Sequence, residues 1–409
     1  MPNTLDNAKN NLKEDRFMPK LDFLKTDLDE LQKSGLYNVI RTLEGPNDPW
    51  VMIGGKKRLN LTSNNYLGLA HHPEMVKAAK DAIDKYGVGA GAVRSIAGTM
   101  DIHIRLEEAL AKFKGREAAI VFQSGFNSNA GVIPTIIRKE DVIFSDELNH
   151  ASVIDGCRLS KAPILRYKHN DMAELEKLIK ENMQYERKYI ITDGVFSMDG
   201  DIADLKTVAE LGEKYDCVTM VDDAHGEGVM GKGGRGIVNH FGLGERIDIE
   251  VGTLSKAFGC AGGFVAGRRE LIDWLKQRGR PFLFSNALSP SEAAGVLKAI
   301  ELLEKSEELV NKVWENSKYF KSNMKEAGFD IGHSATPITP VMLGEASVAH
   351  GMSKKLYEEG VFAMALGYPT VPKGKARIRV MVSAGHSKED LDYGIERFIK
   401  IGREFKVIK

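Results

Sequence analysis

The chain has 409 residues, 43% hydrophobic and 28% charged, an ordinary globular balance in a chain too long for one compact core. Lysine plus arginine equals aspartate plus glutamate at 57 each, so the formal net charge is zero and the electrostatic signature of a nucleic-acid or membrane-surface binder is missing. Three cysteines without a CxxC pair (Cys157, Cys217, Cys260) argue against a disulfide framework or a zinc site. The polar start MPNTLDNAKNNLKED lacks a signal-type apolar segment and no run is long enough to span a bilayer, so a cytoplasmic location is expected.

Residues 19–34 place Leu21, Leu24, Leu28 and Leu31 on one side, which predicts an amphipathic helix stopped by Gly35. A polar GGKKR stretch then gives way to LNLTSNNYLGL, a short strand entering a turn. From about 70 to 290, helical stretches such as MVKAAKDAIDKY and HIRLEEALAKFKG alternate with short apolar runs at 118–122, 141–145, 162–167, 189–194, 217–223, 249–254 and 262–267. That alternation predicts βαβ units and an α/β fold with a mostly parallel sheet, whose ligands sit beyond the carboxyl ends of the strands. The loops after Phe122, Ser145, Gly194, Val221 and Leu254 are therefore expected near one another.

Ser289-Pro290-Ser291-Glu292 reads as a capping box, and one long amphipathic helix is predicted to run on through about residue 320. A strand at PVML, a helix ending at Gly360, strands at VFAMAL and ARIRVMVS, and a last helix from Ser387 complete a smaller α+β layer. The expected division is an N-terminal helix and arm (1–60), a large ligand-binding domain (61–295) and a small C-terminal domain (296–409).

Several segments carry candidate chemistry. In GTLSKAFG (252–259), Lys256 lies just past an apolar strand among small residues that let a bulky ring approach, and a lysine among apolar groups more readily becomes the neutral amine that attacks carbonyls. Taken alone it reads more readily as a solvated surface lysine. VDDAH (221–225) ends a strand in two carboxylates and a histidine. Asp222 fits the carboxylate that a pyridoxal-phosphate (PLP) enzyme sets against its ring nitrogen, with His225 near the ring oxygen; a strand-end cap or a metal pair are the alternatives, and no HExxH or His/Asp spacing favours a metal. FQSGFNSNAGV turns from strand to helix as a phosphate cradle does, or as an ordinary connection does. His150 in DELNHAS suits either stacking on a ring or capping. Arg377 and Arg379 share one face of a strand, suited to clamping a carboxylate, or lie on a basic edge strand. GVGAGA (87–92) fits a loose dinucleotide fingerprint, but it follows a helix rather than a strand, so that reading is set aside.

As a set, SNNYLGL (63–69), VRSIAGTMDIH (93–103), SDELNHAS (145–152), DGVFSMDGD (193–201), VDDAHGEG (221–228), GTLSKAFG (252–259), FSNAL (284–288) and PTVPKGKARIRV (369–380) resemble the α-oxoamine synthases over almost the whole chain. The resemblance implies the aspartate-aminotransferase type of PLP fold (fold type I) in a homodimer with shared active sites. It implies Lys256 as the Schiff-base lysine, Asp222 on the ring nitrogen, His225 on the ring oxygen and His150 stacked on the ring. Gly125 and Phe126 would offer N–H groups to the phosphate, Thr253 and Ser197 would line the cofactor, and Ser285 and Asn286 would reach the phosphate from the other subunit. Arg379, rather than Arg377, would hold the amino acid's carboxylate, with Asn64 assisting.

Such enzymes condense a small amino acid with an acyl-CoA. Because LNHASVIDGCRLSKA and RYKHNDM (166–172) look most like glycine C-acetyltransferase, and an apolar Val93 disfavours a succinyl group, the expected reaction is glycine plus acetyl-CoA giving 2-amino-3-oxobutyrate. The alternative is 8-amino-7-oxononanoate synthesis from a pimeloyl thioester and alanine, or one enzyme doing both. An aminotransferase would share the fold and the lysine; a non-catalytic subunit of the family would lack the lysine.

Overall fold

The computed structural model describes residues 20–34, 37 and 39–409. It separates into two compact units that meet in sequence at Thr42 and Leu43. In the first, the amphipathic helix runs Asp22–Lys33 and ends at Ser34, whose N–H reaches Glu30 O. Leu24, Leu28 and Leu31 on it are exposed. The expected stop at Gly35 and the polar N-terminal stretch lie outside the described residues.

The second unit opens with β1 (Trp50–Ile53) and β2 (Lys56–Asn60), an antiparallel pair joined by Gly54 and Gly55. Both glycines have positive φ (+58° and +65°), as a two-residue hairpin turn matched to strand twist requires. This strand sits earlier than expected, taking in the Lys56-Lys57-Arg58 run. The seven apolar runs then become β3 (Ala118–Phe122), β4 (Val142–Asp146), β5 (Ile164–Tyr167), β6 (Lys188–Asp193), β7 (Cys217–Asp222), β8 (Ile249–Thr253) and β9 (Gly263–Gly267). They form one sheet in the order β3-β9-β8-β7-β6-β4-β5, in which β9 alone runs antiparallel to its neighbours. Six parallel strands therefore present their carboxyl ends on one edge. Helices cover both faces: Leu106, Leu110 and Val296 pack with Val121 and Phe264 on one side, while Ile133, Val153 and Ile272 pack with Ile120 and Val265 on the other.

The expected single helix beyond Ser289 is broken. Helices Pro290–Lys305 and Glu308–Glu326 are separated at Ser306, which adopts extended φ/ψ (−152°, 139°). Its hydroxyl accepts from Glu308 N at 3.1 Å, so the serine side chain competes with the helical ladder and starts the second helix. The C-terminal layer comprises β10 (Ile338–Gly344), β11 (Val361–Phe362), β12 (Met364–Leu366) and β13 (Ala376–Met381), in which β13 pairs antiparallel with both β10 and β12. Strand β11 joins β2 in parallel, and Leu59 and Leu61 are buried in the C-terminal core beside Phe320, Ile378 and Phe398. Among the described residues no helix is long and apolar enough to cross a membrane.

Candidate active site

Five of the parallel strands end within reach of one cavity of about 250 Å³. Its wall brings together Gly125 and Phe126 after β3, His150 after β4, Asp193 and Ser197 at and after β6, Asp222 and His225 at and after β7, and Thr253 and Lys256 at and after β8. Eight residues singled out from the sequence thus converge, because parallel strands of similar length deliver their following loops to one edge.

Asp222 closes β7 and is held from two sides. Asn129 Nδ2 donates to Oδ2 at 2.6 Å and the Ala224 N–H donates to Oδ1 at 3.0 Å. Asn129 also donates to Ser152 Oγ at 2.9 Å, and Ser152 Oγ lies 2.7 Å from His150 Nδ1, so one chain of hydrogen bonds runs from Asp222 to the imidazole. His150 also caps the helix Ala151–Ser160, accepting from Ser152 N at 3.3 Å. Capping and a place on the cavity wall, open alternatives in the sequence, coexist in this one residue. Burial holds His150 below the usual histidine range, against the pull of Asp222.

Lys256 is half-buried as a residue with its amine enclosed. Burial brings it down to about 8, although the carboxylates of Asp222 and Asp193 favour its charge. His225 is pushed well below its ordinary value by burial, then by Lys256 and Arg379, so it is neutral. Its Nδ1 lies 2.8 Å from the hydroxyl of Tyr66, itself fully buried. Asp193 is raised well above the carboxylate range by burial and by Asp222, and it accepts the His150 N–H at 3.2 Å. Across the cavity, Ser124 caps the helix Gly125–Ile136 through Asn127 N at 3.1 Å, turning the positive end of that helix into the cavity. A Cβ on Gly125 would stand 3.0 Å from Thr253 Cβ, so the close approach of this helix to β8 favours glycine.

The remaining candidates are off the cavity wall. Arg379 donates from Nη1 to Ser197 O at 3.1 Å and influences Lys256, His225 and Tyr66 electrostatically. Arg377 is buried and committed to Asp199, to Met198 O at 3.2 Å and to Lys375 O at 3.0 Å. Asn64 has a buried Oδ1 without a partner among the described residues. Asn286 is exposed, bridges Val93 and accepts through its carbonyl from Gln123, while Ser285 is half-buried.

Sequence reading missed Tyr66, Asn129, Ser152 and Asp193; only Asp193 carried a local signal, as a carboxylate ending an apolar run. It also missed a buried ionic cluster behind Asp222. Asp223, Glu227 and Glu250 converge closely enough to hold a cation, but the Lys114 ammonium fills that place, 2.7 Å from Glu227, 2.9 Å from Glu250 and 3.5 Å from Asp223. Asp223 and Glu227 share the VDDAHGEG segment, but Glu250 and Lys114 come from elsewhere in the chain, which spacing along the sequence does not reveal.

The cavity's groups match PLP by their chemistry: a carboxylate for a pyridine nitrogen, an enclosed amine for an aldehyde, and a helix N-terminus for a phosphate. The family model for aminotransferase class I and II matches residues 56–398. The chain belongs to the PLP-dependent class I and II aminotransferase family. An 8-amino-7-oxononanoate synthase of Thermosipho melanesiensis is 60% identical over 93% of this chain and 98% of its own length. One from Fervidobacterium nodosum is 59% identical over 94% and 98%. A solved serine palmitoyltransferase (SPT) structure with PLP superposes at a TM-score of 0.91, with 32% identity over 96% of this chain and all of that one. Within the aminotransferase family this chain is thus of the α-oxoamine synthase type, with the aspartate-aminotransferase-like fold type I and PLP as its cofactor.

These relatives overturn the expectation of a glycine C-acetyltransferase using glycine and acetyl-CoA, because the curated relatives at 55–60% identity are 8-amino-7-oxononanoate synthases. The segments behind that expectation do structural work. LNHASVIDGCRLSKA builds the helix Ala151–Ser160 and its cap, and RYKHNDM ends β5 and supplies an ion pair. Such packing carries no information about the acyl chain.

Proposed function

We propose that this protein is an 8-amino-7-oxononanoate synthase, condensing L-alanine with a pimeloyl thioester and releasing the thiol and CO₂. The observation that carries this reading is the 60% identity to a synthase of that name over 93% of the chain.

When bound, PLP supplies an electron sink that lets an amino acid's α-carbon lose a proton or a carboxylate. In this reading Lys256 would hold the cofactor covalently, Asp222 would serve its ring nitrogen, neutral His225 its ring oxygen and His150 its face. Gly125 and Phe126 hold the phosphate, and Thr253 and Ser197 line the ring. Arg379 binds the alanine carboxylate, supported by Arg377 being spent on Asp199. Asn64 assists from the neighbouring turn. Lys256 Nζ would take the α-proton; its depression to about 8 favours the neutral amine this requires. The α-carbon then bonds to the thioester carbonyl, the C–S bond breaks, and His150 or His225 donates to the developing oxyanion. Loss of CO₂ and return of a proton to the α-carbon complete the product.

The same reading makes the protein a homodimer in which Ser285 and Asn286 reach the partner subunit's phosphate site. The deciding experiment supplies L-alanine with pimeloyl-CoA or pimeloyl-carrier protein and detects 8-amino-7-oxononanoate by mass spectrometry. No product from either thioester, by protein that binds PLP, rejects the reading.

A further inference from the structure

The RYKHNDM segment places His169 directly after β5, outside the cavity. Its Nδ1 lies 3.1 and 3.2 Å from the two oxygens of Asp146, and its Nε2 lies 2.6 Å from Asp201 Oδ2. Ionised carboxylates only accept hydrogen bonds, so both ring nitrogens must donate and the ring is an imidazolium. Burial opposes that charge, but the hydrogen bonds donated to Asp146 and Asp201 outweigh it and hold His169 up to about 10. Asp146 ends β4 and is almost fully buried; Glu147 beside it accepts the His169 backbone N–H at 3.1 Å. The ring also meets Phe196 edge-on, with centroids 4.3 Å apart.

Asp201 and Phe196 belong to the loop after β6. Phe196 N donates to Asp201 O at 3.0 Å, Gly200 N donates to Phe196 O at 2.8 Å, and Val195 bridges Ile202, so the loop is closed at its base. The far side of this loop meets the C-terminal layer. Ser197 O accepts from Arg379, Asp199 pairs with Arg377, and Gly200 O accepts from Ala335 N and from Thr336 Oγ1, each at 2.9 Å. One loop therefore ties the strand that carries Arg379 to the end of β4, and His169 is its ionic fastening on the β4 side.

We propose that His169 is a positioning residue: clamped between Asp146 and Asp201, it fixes the 195–202 loop so that the Ser197 carbonyl sets the reach of Arg379 toward the carboxylate of the amino-acid substrate. This rests on the reading of Arg379 given above. A neutral side chain at 169 removes the positive charge that strengthens the hydrogen bonds to both carboxylates and leaves Asp146 and Asp201 facing an uncharged group.

The test is steady-state kinetics of the PLP-loaded enzyme with L-alanine and pimeloyl-CoA, comparing His169→Gln, Asp201→Asn and Arg379→Lys. We expect H169Q to raise KM for alanine about 10-fold, the loss of one charge-assisted hydrogen bond, while kcat and KM for the thioester stay within about 2-fold. D201N, at a partly exposed acceptor, shifts the alanine KM the same way and serves if H169Q does not fold. In wild type, kcat/KM for alanine falls as pH rises through about 10, where His169 loses its proton. The H169Q profile lacks that contribution when both are referenced to alanine's own titration. Unchanged alanine KM in both H169Q and D201N, with KM raised in R379K, overturns the clamp and leaves the Arg379 reading standing. Unchanged alanine KM in R379K rejects the Arg379 reading itself. An equal loss in kcat and both KM values, tracking a fall in melting temperature, reduces His169 to a structural group and also overturns the proposal.

Discussion

The Tyr66 hydroxyl and His225 Nδ1 lie 2.8 Å apart although the residues are 159 positions apart in the chain. Burial raises Tyr66 above the usual phenol range and pushes His225 far down, so a neutral phenol meets a neutral imidazole. A phenol donating to Nδ1 leaves the His225 proton on Nε2. Tyr66→Phe removes the contact while preserving the ring's packing. Its expected effect is a fall in kcat of about 10-fold, from one buried hydrogen bond worth about 1 kcal/mol or slightly more. Near-normal cofactor content, read by absorbance, should accompany it. Wild-type kcat in Y66F removes the tyrosine from the mechanism.

Lys256 offers a pH test on the cofactor-free protein. Burial lowers it from 10.5 to about 8, and only the neutral amine attacks an aldehyde. The rate of covalent PLP capture, trapped with borohydride at short times, should therefore rise between pH 7 and 9 by about 10-fold and then level off. A rate still climbing through pH 10 means the lysine titrates as an ordinary exposed amine. Lys256→Ala should abolish borohydride trapping altogether.

Arg377 and Arg379 share a strand face but not a task. Arg377 is buried against Asp199, and Arg377→Ala leaves Met198 O and Asp199 without their donor; the expected cost is about 1–3 kcal/mol of stability, read by denaturant unfolding. Arg379→Lys keeps the charge but loses the planar fork. It should raise KM for alanine about 10- to 100-fold with little loss of stability. Reversed phenotypes exchange the two assignments.

The sheet and the cavity wall were legible because each apolar run ends in a chemically distinct loop, and parallel strands bring such ends together. Gly125, His150, Asp222 and Lys256 were found that way, while Ser197 came from the family resemblance. Tyr66 and Asn129 were not, since their roles come from contacts with residues far along the chain. The break at Ser306 escaped because apolar periodicity continues across it, from Leu303 to Val310, and a lone serine is a weak stop signal. The substrate was misread because the segments compared are accounted for by the cap of the helix Ala151–Ser160 and by the His169 pair, which do not distinguish one acyl group from another.

Lys114 gives the sharpest stability test. Its ammonium is fully buried against Glu227, Glu250 and Asp223, and Arg116 Nε lies 3.3 Å from Glu250, so two cations face three carboxylates. Burial raises Asp223 to about 7, with Lys114 pulling the other way, and burial raises Glu227 well above its ordinary range. Lys114→Met keeps the length of the chain but strands the acids, for an expected loss of about 3–5 kcal/mol at pH 8. The sign of its pH dependence follows from the raised carboxylates. A folded state that holds extra protons on Asp223 and Glu227 gains stability relative to the unfolded chain as pH falls below the folded pKa values. Without Lys114 those values rise further, so the deficit of K114M against wild type should shrink as pH falls from 8 to 6. Urea unfolding at the two pH values reads this directly. A deficit that stays constant or grows on acidification means the carboxylates remain ionised without the lysine, and the cluster is then held by Arg116 and by the Ile237 N–H, which donates to Asp223 Oδ2 at 2.8 Å, instead.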